Sequence, residues 1–180
     1  MSNIVEESAI TNGEGLMEYE QIMHVVETKI PFKGKTLSQW SEEIKLPYIN
    51  HDMTLHQLEE FNHLYVNNSY LVMDALASAR AGLHYTKNHM EISILREKKA
   101  IESRIIQWNS VPTNTPKRKI PSKDTLNDRA MEMNAQAISA HRVAEVFYEF
   151  FKTHHEKLKI IGDRLTGMNI LKNIESKYVH

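Results

Sequence analysis

The chain is 180 residues long, 41% apolar and 25% charged, with a formal net charge of −1. That length allows one domain or at most two, around a core that is not thick. There is no cysteine, which excludes a disulfide framework, a thiol nucleophile and a cysteine-type zinc site, and no run approaches the ~20 apolar residues of a membrane span. Six glycines and five prolines are too few for a β-sandwich or a loop-rich fold.

In chain order, residues 1–16 are polar and acidic, unlike a signal or transit peptide, and read as a disordered N-terminus. Residues 17–53 read as a short helical or irregular segment. Ile22, Val25 and Val26 fit either a helix or a strand, and "PFKGK" is a turn. Thr36-x-x-Gln39 is a capping box that opens a short helix over about 36–45, before Pro47. Thr54 with Gln57 offers a second helix start.

Residues 54–180 read as a long helical hairpin. From Thr54 to Asn109 there is no proline and one glycine, Gly82, and apolar residues recur at helical spacing from Leu58 and Phe61 to Ile105 and Trp108. "VNNS" at 66–69 is a weak point where a break or bend is expected, and Val111-Pro112 ends the helix. The second segment carries a heptad seam: Leu126, Ala130, Met133, Ala137, Ala140, Ala144, Phe147, Phe151, His154, Leu158, Ile161, Leu165. Ser122 or Asp124 can cap its start, Gly162 and Gly167 weaken its end, and 168–174 adds a further turn or short helix. Two helices of matched length predict an all-α fold, an antiparallel hairpin each arm of which is roughly 60 Å long, preceded by short N-terminal helices. Such a hairpin leaves aromatic surface over, which predicts a homo-oligomer. Phe147, Phe150, Phe151, Leu158, Ile161 and Leu165 are its candidate interface, and the phenylalanine cluster reads as a packing layer or subunit interface rather than a ligand box.

Charge is distributed unevenly. Residues 1–28 hold six glutamates and no Lys or Arg, whereas Arg96, Lys98, Lys99, Arg104, Lys117, Arg118, Lys119 and Lys123 face only Glu97 and Glu102 within 96–123. The linker at 110–123 contains three prolines, which are expected to keep it extended at the tip of the hairpin, its cations continuous with those of the preceding helix. Cations on such a loop bind backbone phosphates with salt-dependent, sequence-tolerant affinity. Trp108 and Tyr85 are the aromatic residues near enough to stack on bases. The plain alternative is a solvated loop.

The order of parts, the basic "LREKKAIESR" and the closing "IIGDRLTGMNILKNIESKY" (160–178) resemble the small helical recombination mediators of tailed phages, the UvsY type, over about residues 70–176. In that family's tail an Ile, an Arg three residues on, an Ile-Lys-Asn/His run and an acid or amide correspond to Ile161, Arg164, Ile170 or Leu171, Lys172, Asn173 and Glu175 here. Lys98 and Lys99 correspond to its single-strand-binding lysines. The chain departs from the family in its longer N-terminus, a two-residue insertion near "LTG", and the absence of a Tyr-Tyr-x-Gly turn. The resemblance implies no catalysis and no cofactor. It implies a protein of the host cytoplasm that binds single-stranded DNA, contacts the single-strand-binding protein, and helps a RecA-like recombinase displace it. It also implies ring-forming oligomers held by the tail. The acidic arm is then free to touch a basic partner or to shield the chain's own patch.

Other chemistry has little sequence support. There is no HExxH, phosphate-binding loop or nucleophile elbow, and Glu60-x-x-His63 is half of a di-iron signature whose second half is absent. The competing reading is a non-enzymatic helical adaptor or viral inhibitor that acts through protein contact alone.

Overall fold

The structure, a computed structural model, describes residues 19–46, 48–50, 52–113 and 115–178. The expected disorder of 1–16 lies outside them. Five helices follow in order: α1 Tyr19–Thr28, α2 Leu37–Glu43, α3 Leu55–Ser110, α4 Lys123–Met133 and α5 Ala135–Tyr178. No strand occurs among the described residues, so the fold is all-α as expected, and a long helix packs on another.

The start of each early helix follows from local chemistry. Thr36 Oγ1 accepts the Gln39 backbone N–H and Gln39 Oε1 accepts that of Thr36, which completes the expected capping box of α2. The same exchange links Thr54 and Gln57 at the start of α3. Between α1 and α2, "PFKGK" is the expected turn, with Lys33 and Gly34 in the left-handed region (φ 50° and 82°) and a bridge from Phe32 to Lys35.

The chain divides into two compact units. Among the described residues, one comprises 26–81 with those from 146 on; the other is Gly82–Glu145 with those up to Val25. α3 and α5 each contribute to both.

In the first of these units, Phe151 is fully buried, its ring 5.1 Å from that of Phe32 and 5.2 Å, edge-on, from that of Trp40. The Trp40 indole N–H donates to the Phe32 carbonyl at 2.9 Å, which satisfies a buried polar group. A second cluster joins Leu58 and Phe61 of α3 to Leu165 and Met168 of α5, flanked by Tyr65 and Ile161. Asn62 reaches Asn169 across the same pair of helices. Phe147, Phe151, Leu158 and Leu165 are thus buried by their own chain, with Phe150 and Ile161 half-buried. Of the set expected at a subunit interface, Phe147 and Phe151 pack beneath the Phe32 turn and α2, while Ile161 and Leu165 pack with Leu58 and Phe61 of α3.

Two further expectations are revised here. α3 does not break at 66–69: Asn68 is buried inside a continuous helix, where packing outweighs weak propensity. Gly162 and Gly167, expected to weaken the end of the second long helix, lie inside it, and it runs on through 168–174 to Tyr178 without a separate turn. Gly162 instead makes room for Tyr65, whose hydroxyl oxygen lies 2.3 Å from where a Cβ would stand.

In the other unit Ile105, Leu126, Ala130, Ile138 and Val143 are buried. The heptad seam does not pass through it intact, because Asn134 interrupts the helix (φ −115°, ψ 26°) and its side-chain amide donates to the Ala130 carbonyl at 2.7 Å. Beyond the break the buried residues are Ile138, Ser139 and Val143, each beside an expected seam position (Ala137, Ala140 and Ala144). Met133 and Ala140, both expected on the seam, are exposed.

Candidate nucleic-acid interface

The basic linker leaves α3 at Ser110 and enters α4 at Lys123, where the Ser122 hydroxyl accepts the Thr125 N–H as N-cap. It is not simply extended. Asn109 grips Arg118 twice: its side-chain amide donates to the Arg118 carbonyl at 2.8 Å, and its side-chain oxygen accepts the Arg118 N–H at 2.8 Å. Lys117 donates to the carbonyls of Asn109 and Val111 at 2.7 and 2.9 Å. The loop therefore returns to the end of α3. Its prolines do not keep it extended, because the orphan carbonyls and negative dipole end of the helix draw Lys117 back.

This return positions Arg118. Its guanidinium carbon sits 4.0 Å from the centroid of the Trp108 ring, a stacked cation–π geometry that holds the side chain in one orientation. Arg118 and Lys119 then line an open groove of about 730 Å³ with Arg104 of α3 and Arg129 of α4; Ile101, Ile105 and Met133 form its apolar floor, and Glu132 adds one acid. Arg104 also pairs with Glu97 at 2.7 Å, with the arginine largely exposed. A pair in that position contributes at most ~1 kcal/mol and is screened by salt.

Of the eight candidate cations, the groove gathers Arg104, Arg118 and Lys119. Lys117 is engaged in capping, and Lys123 is exposed at the first residue of α4. Arg96 and Lys99 are exposed on α3 and Lys98 is half-buried. Because each helical residue turns the chain by about 100°, Lys99 lies about 160° round α3 from Ile101, away from the groove. Lys98 precedes Ile105 by two turns and so shares its side. The cations that are continuous in sequence are thus divided between faces. Arg129 is not among the candidates the sequence supplies, because α4 reads there as seam. Its one signal is its place three residues after Leu126, beside the buried stripe.

Next along α3 lies a second open groove, of about 440 Å³, bounded by Tyr85, His89 and Ser93 on one side and Met133, Asn134 and Gln136 on the other. Asn134, where the helix breaks, is among its lining residues. No group of three or more metal-ligating side chains occurs among the described residues, and no described helix is long and apolar enough to cross a membrane.

No protein-family model, curated protein or solved structure matches this chain.

Proposed function

We propose that the protein is a non-enzymatic, single-stranded DNA-binding recombination mediator, with the groove of Arg104, Arg118, Lys119 and Arg129 as its phosphate site. The observation that carries this reading is the convergence of four cations from α3, the linker and α4 on one concave surface, with Arg118 held in place by Trp108. Four cations round an apolar floor suit a flexible polyanion. An open groove with little polar detail suits binding that is indifferent to sequence. Loading a RecA-like recombinase onto DNA covered by single-strand-binding protein, in the host cytoplasm, is the finer part of the proposal and rests on the UvsY-type resemblance.

The same proposal includes an antiparallel arrangement of α3 and α5 and assembly into oligomers. Support for the first comes from the pairings Asn62 with Asn169 and Tyr65 with Gly162, in which α5 numbers fall as α3 numbers rise. The second draws on Ile160, Ile170, Leu171 and Ile174, all exposed on α5.

The test is fluorescence anisotropy of a labelled single-stranded oligonucleotide at two salt concentrations, with wild type and an Arg118→Ala/Lys119→Ala/Arg129→Ala variant. Removing one phosphate-binding cation lowers the salt slope by about 0.7, so the triple variant should bind with a slope smaller by about 2. Absence of binding at low salt refutes the proposal.

The adaptor or inhibitor reading has one observation of its own: Val66, Tyr70 and Met73 are exposed at steps of four and three on α3, a stripe suited to a protein partner. It predicts an activity unchanged by neutralising the groove.

A further inference from the structure

The two grooves on Gly82–Glu145 differ in chemistry in a way that divides a nucleotide between them. The basic groove is lined by Arg104, Arg118, Lys119 and Arg129. Its neighbour contains no Lys, Arg, Asp or Glu, and presents aromatic rings with short polar side chains: Tyr85, His89, Ser93, Asn134 and Gln136. Met133 lines both, so the two surfaces are continuous. Along α3, Tyr85 and Arg104 are separated by about 28 Å of helix, a span of several nucleotides.

Tyr85 and His89 stand one turn apart with their rings nearly parallel, 24° between planes and 6.3 Å between centroids. Tyr85 is 71% exposed. The ring spacing is about the rise of one helical turn, and nearly parallel rings one turn apart offer adjoining π-faces along α3. A large, exposed aromatic ring costs solubility unless something covers it, and a base offers a flat π-face of matching size. The Ser93 hydroxyl lies on the same side as the two rings, and the facing wall adds Met133 and Asn134.

We infer that the Tyr85–His89 groove is a base-binding site: an unpaired nucleobase stacks against these two rings while the adjoining phosphates run past Met133 into the basic groove. The inference rests on the nucleic-acid reading above and adds to it a base-dependent contribution to affinity. It assigns phosphate binding to the linker end and base stacking to the Tyr85–His89 stretch of α3.

The experiment compares two labelled probes of equal length and charge, oligothymidine and an abasic oligomer, by anisotropy with wild type, Tyr85→Ala, Tyr85→Phe and the triple groove variant. Wild type is expected to bind oligothymidine about tenfold more tightly than the abasic strand, since stacking on one aromatic is worth ~1–3 kcal/mol per base. Tyr85→Ala should abolish that preference without changing the salt slope, and Tyr85→Phe should keep it. The exposure of Tyr85 makes both variants compatible with folding, checked by circular dichroism. Equal binding of both probes by wild type, or a preference that survives Tyr85→Ala, overturns this inference while leaving salt-dependent binding in place. Binding of neither probe overturns both readings.

Discussion

Gly162 offers a sharp test of how α5 packs on α3. In an exposed helix interior, glycine to alanine stabilises by about 1 kcal/mol, through propensity and a less flexible unfolded chain. Gly82 and Gly167 meet that condition, with nothing within 4 Å of the position a Cβ would take. Gly162 does not, because its added Cβ would stand 2.3 Å from the Tyr65 hydroxyl oxygen and 3.0 Å from the ring carbon that carries it. Tyr65 leans on the cluster of Leu58, Phe61, Leu165 and Met168, so its ring has to be driven into packed neighbours or out toward solvent. Overpacking of this kind costs ~1–3 kcal/mol, which exceeds the propensity gain. Gly162→Ala should therefore destabilise by about 1 kcal/mol while Gly167→Ala stabilises by a similar amount. The gap of about 2 kcal/mol corresponds to roughly 4–8 °C in Tm for a chain of this size, read by circular dichroism on heating. In a Tyr65→Phe background the loss should shrink, because the nearest atom is gone; a double-mutant cycle measures the coupling. If Gly162→Ala stabilises as much as Gly167→Ala, Tyr65 does not sit on Gly162 and this packing of α5 on α3 is wrong.

Three other outcomes are expected. Glu97→Gln releases Arg104 from its 2.7 Å ion pair and removes an anion near the basic groove, so single-stranded DNA should bind about two- to fivefold more tightly at low salt; unchanged affinity would separate Arg104 from the site. Asn68→Leu removes a buried side-chain nitrogen that has no hydrogen-bond partner, so stability should rise by about 1 kcal/mol in urea titration; a loss would mean that the amide does have a partner. Burial holds the His154 pKa below its ordinary value of 6.5, with Lys157 adding to the effect and the Phe150 carbonyl opposing it. The folded state thus prefers the neutral ring. The resulting stability is complete above pH 6.5 and declines as pH falls from there toward the folded-state pKa. His154→Leu should flatten that decline in melts taken between about pH 7 and pH 5, and an identical decline in the variant would place its source elsewhere.

What could be read in the sequence was what depends on near neighbours. The Thr36–Gln39 and Thr54–Gln57 caps lie three residues apart, and each pair closes its own hydrogen bonds whatever the rest of the chain does. The limits of α3 follow from Thr54 at one end and Pro112 at the other. Asn134 was invisible because the heptad of apolar residues continues across it, and periodicity reports composition, not backbone continuity. The phenylalanine layer was recognisable as a layer, but not its cover: Phe32 and Trp40 are more than a hundred residues away in sequence. Gly162 had the same difficulty, since only Tyr65 on a different helix explains it. At the candidate interface, counting charges found Arg104, Arg118 and Lys119 but could not tell a cation in a groove from one occupied by a helix end, as Lys117 is, or turned to another face, as Lys99 is.

The division of the chain also bears on how this protein can be altered by substitution. Every residue of both grooves lies within Gly82–Glu145, one uninterrupted stretch, whereas the Phe151 core is assembled from two stretches on either side of it. Substitutions that reshape the grooves therefore fall in one continuous stretch of sequence, and those that reshape the Phe151 core fall in the two stretches flanking it.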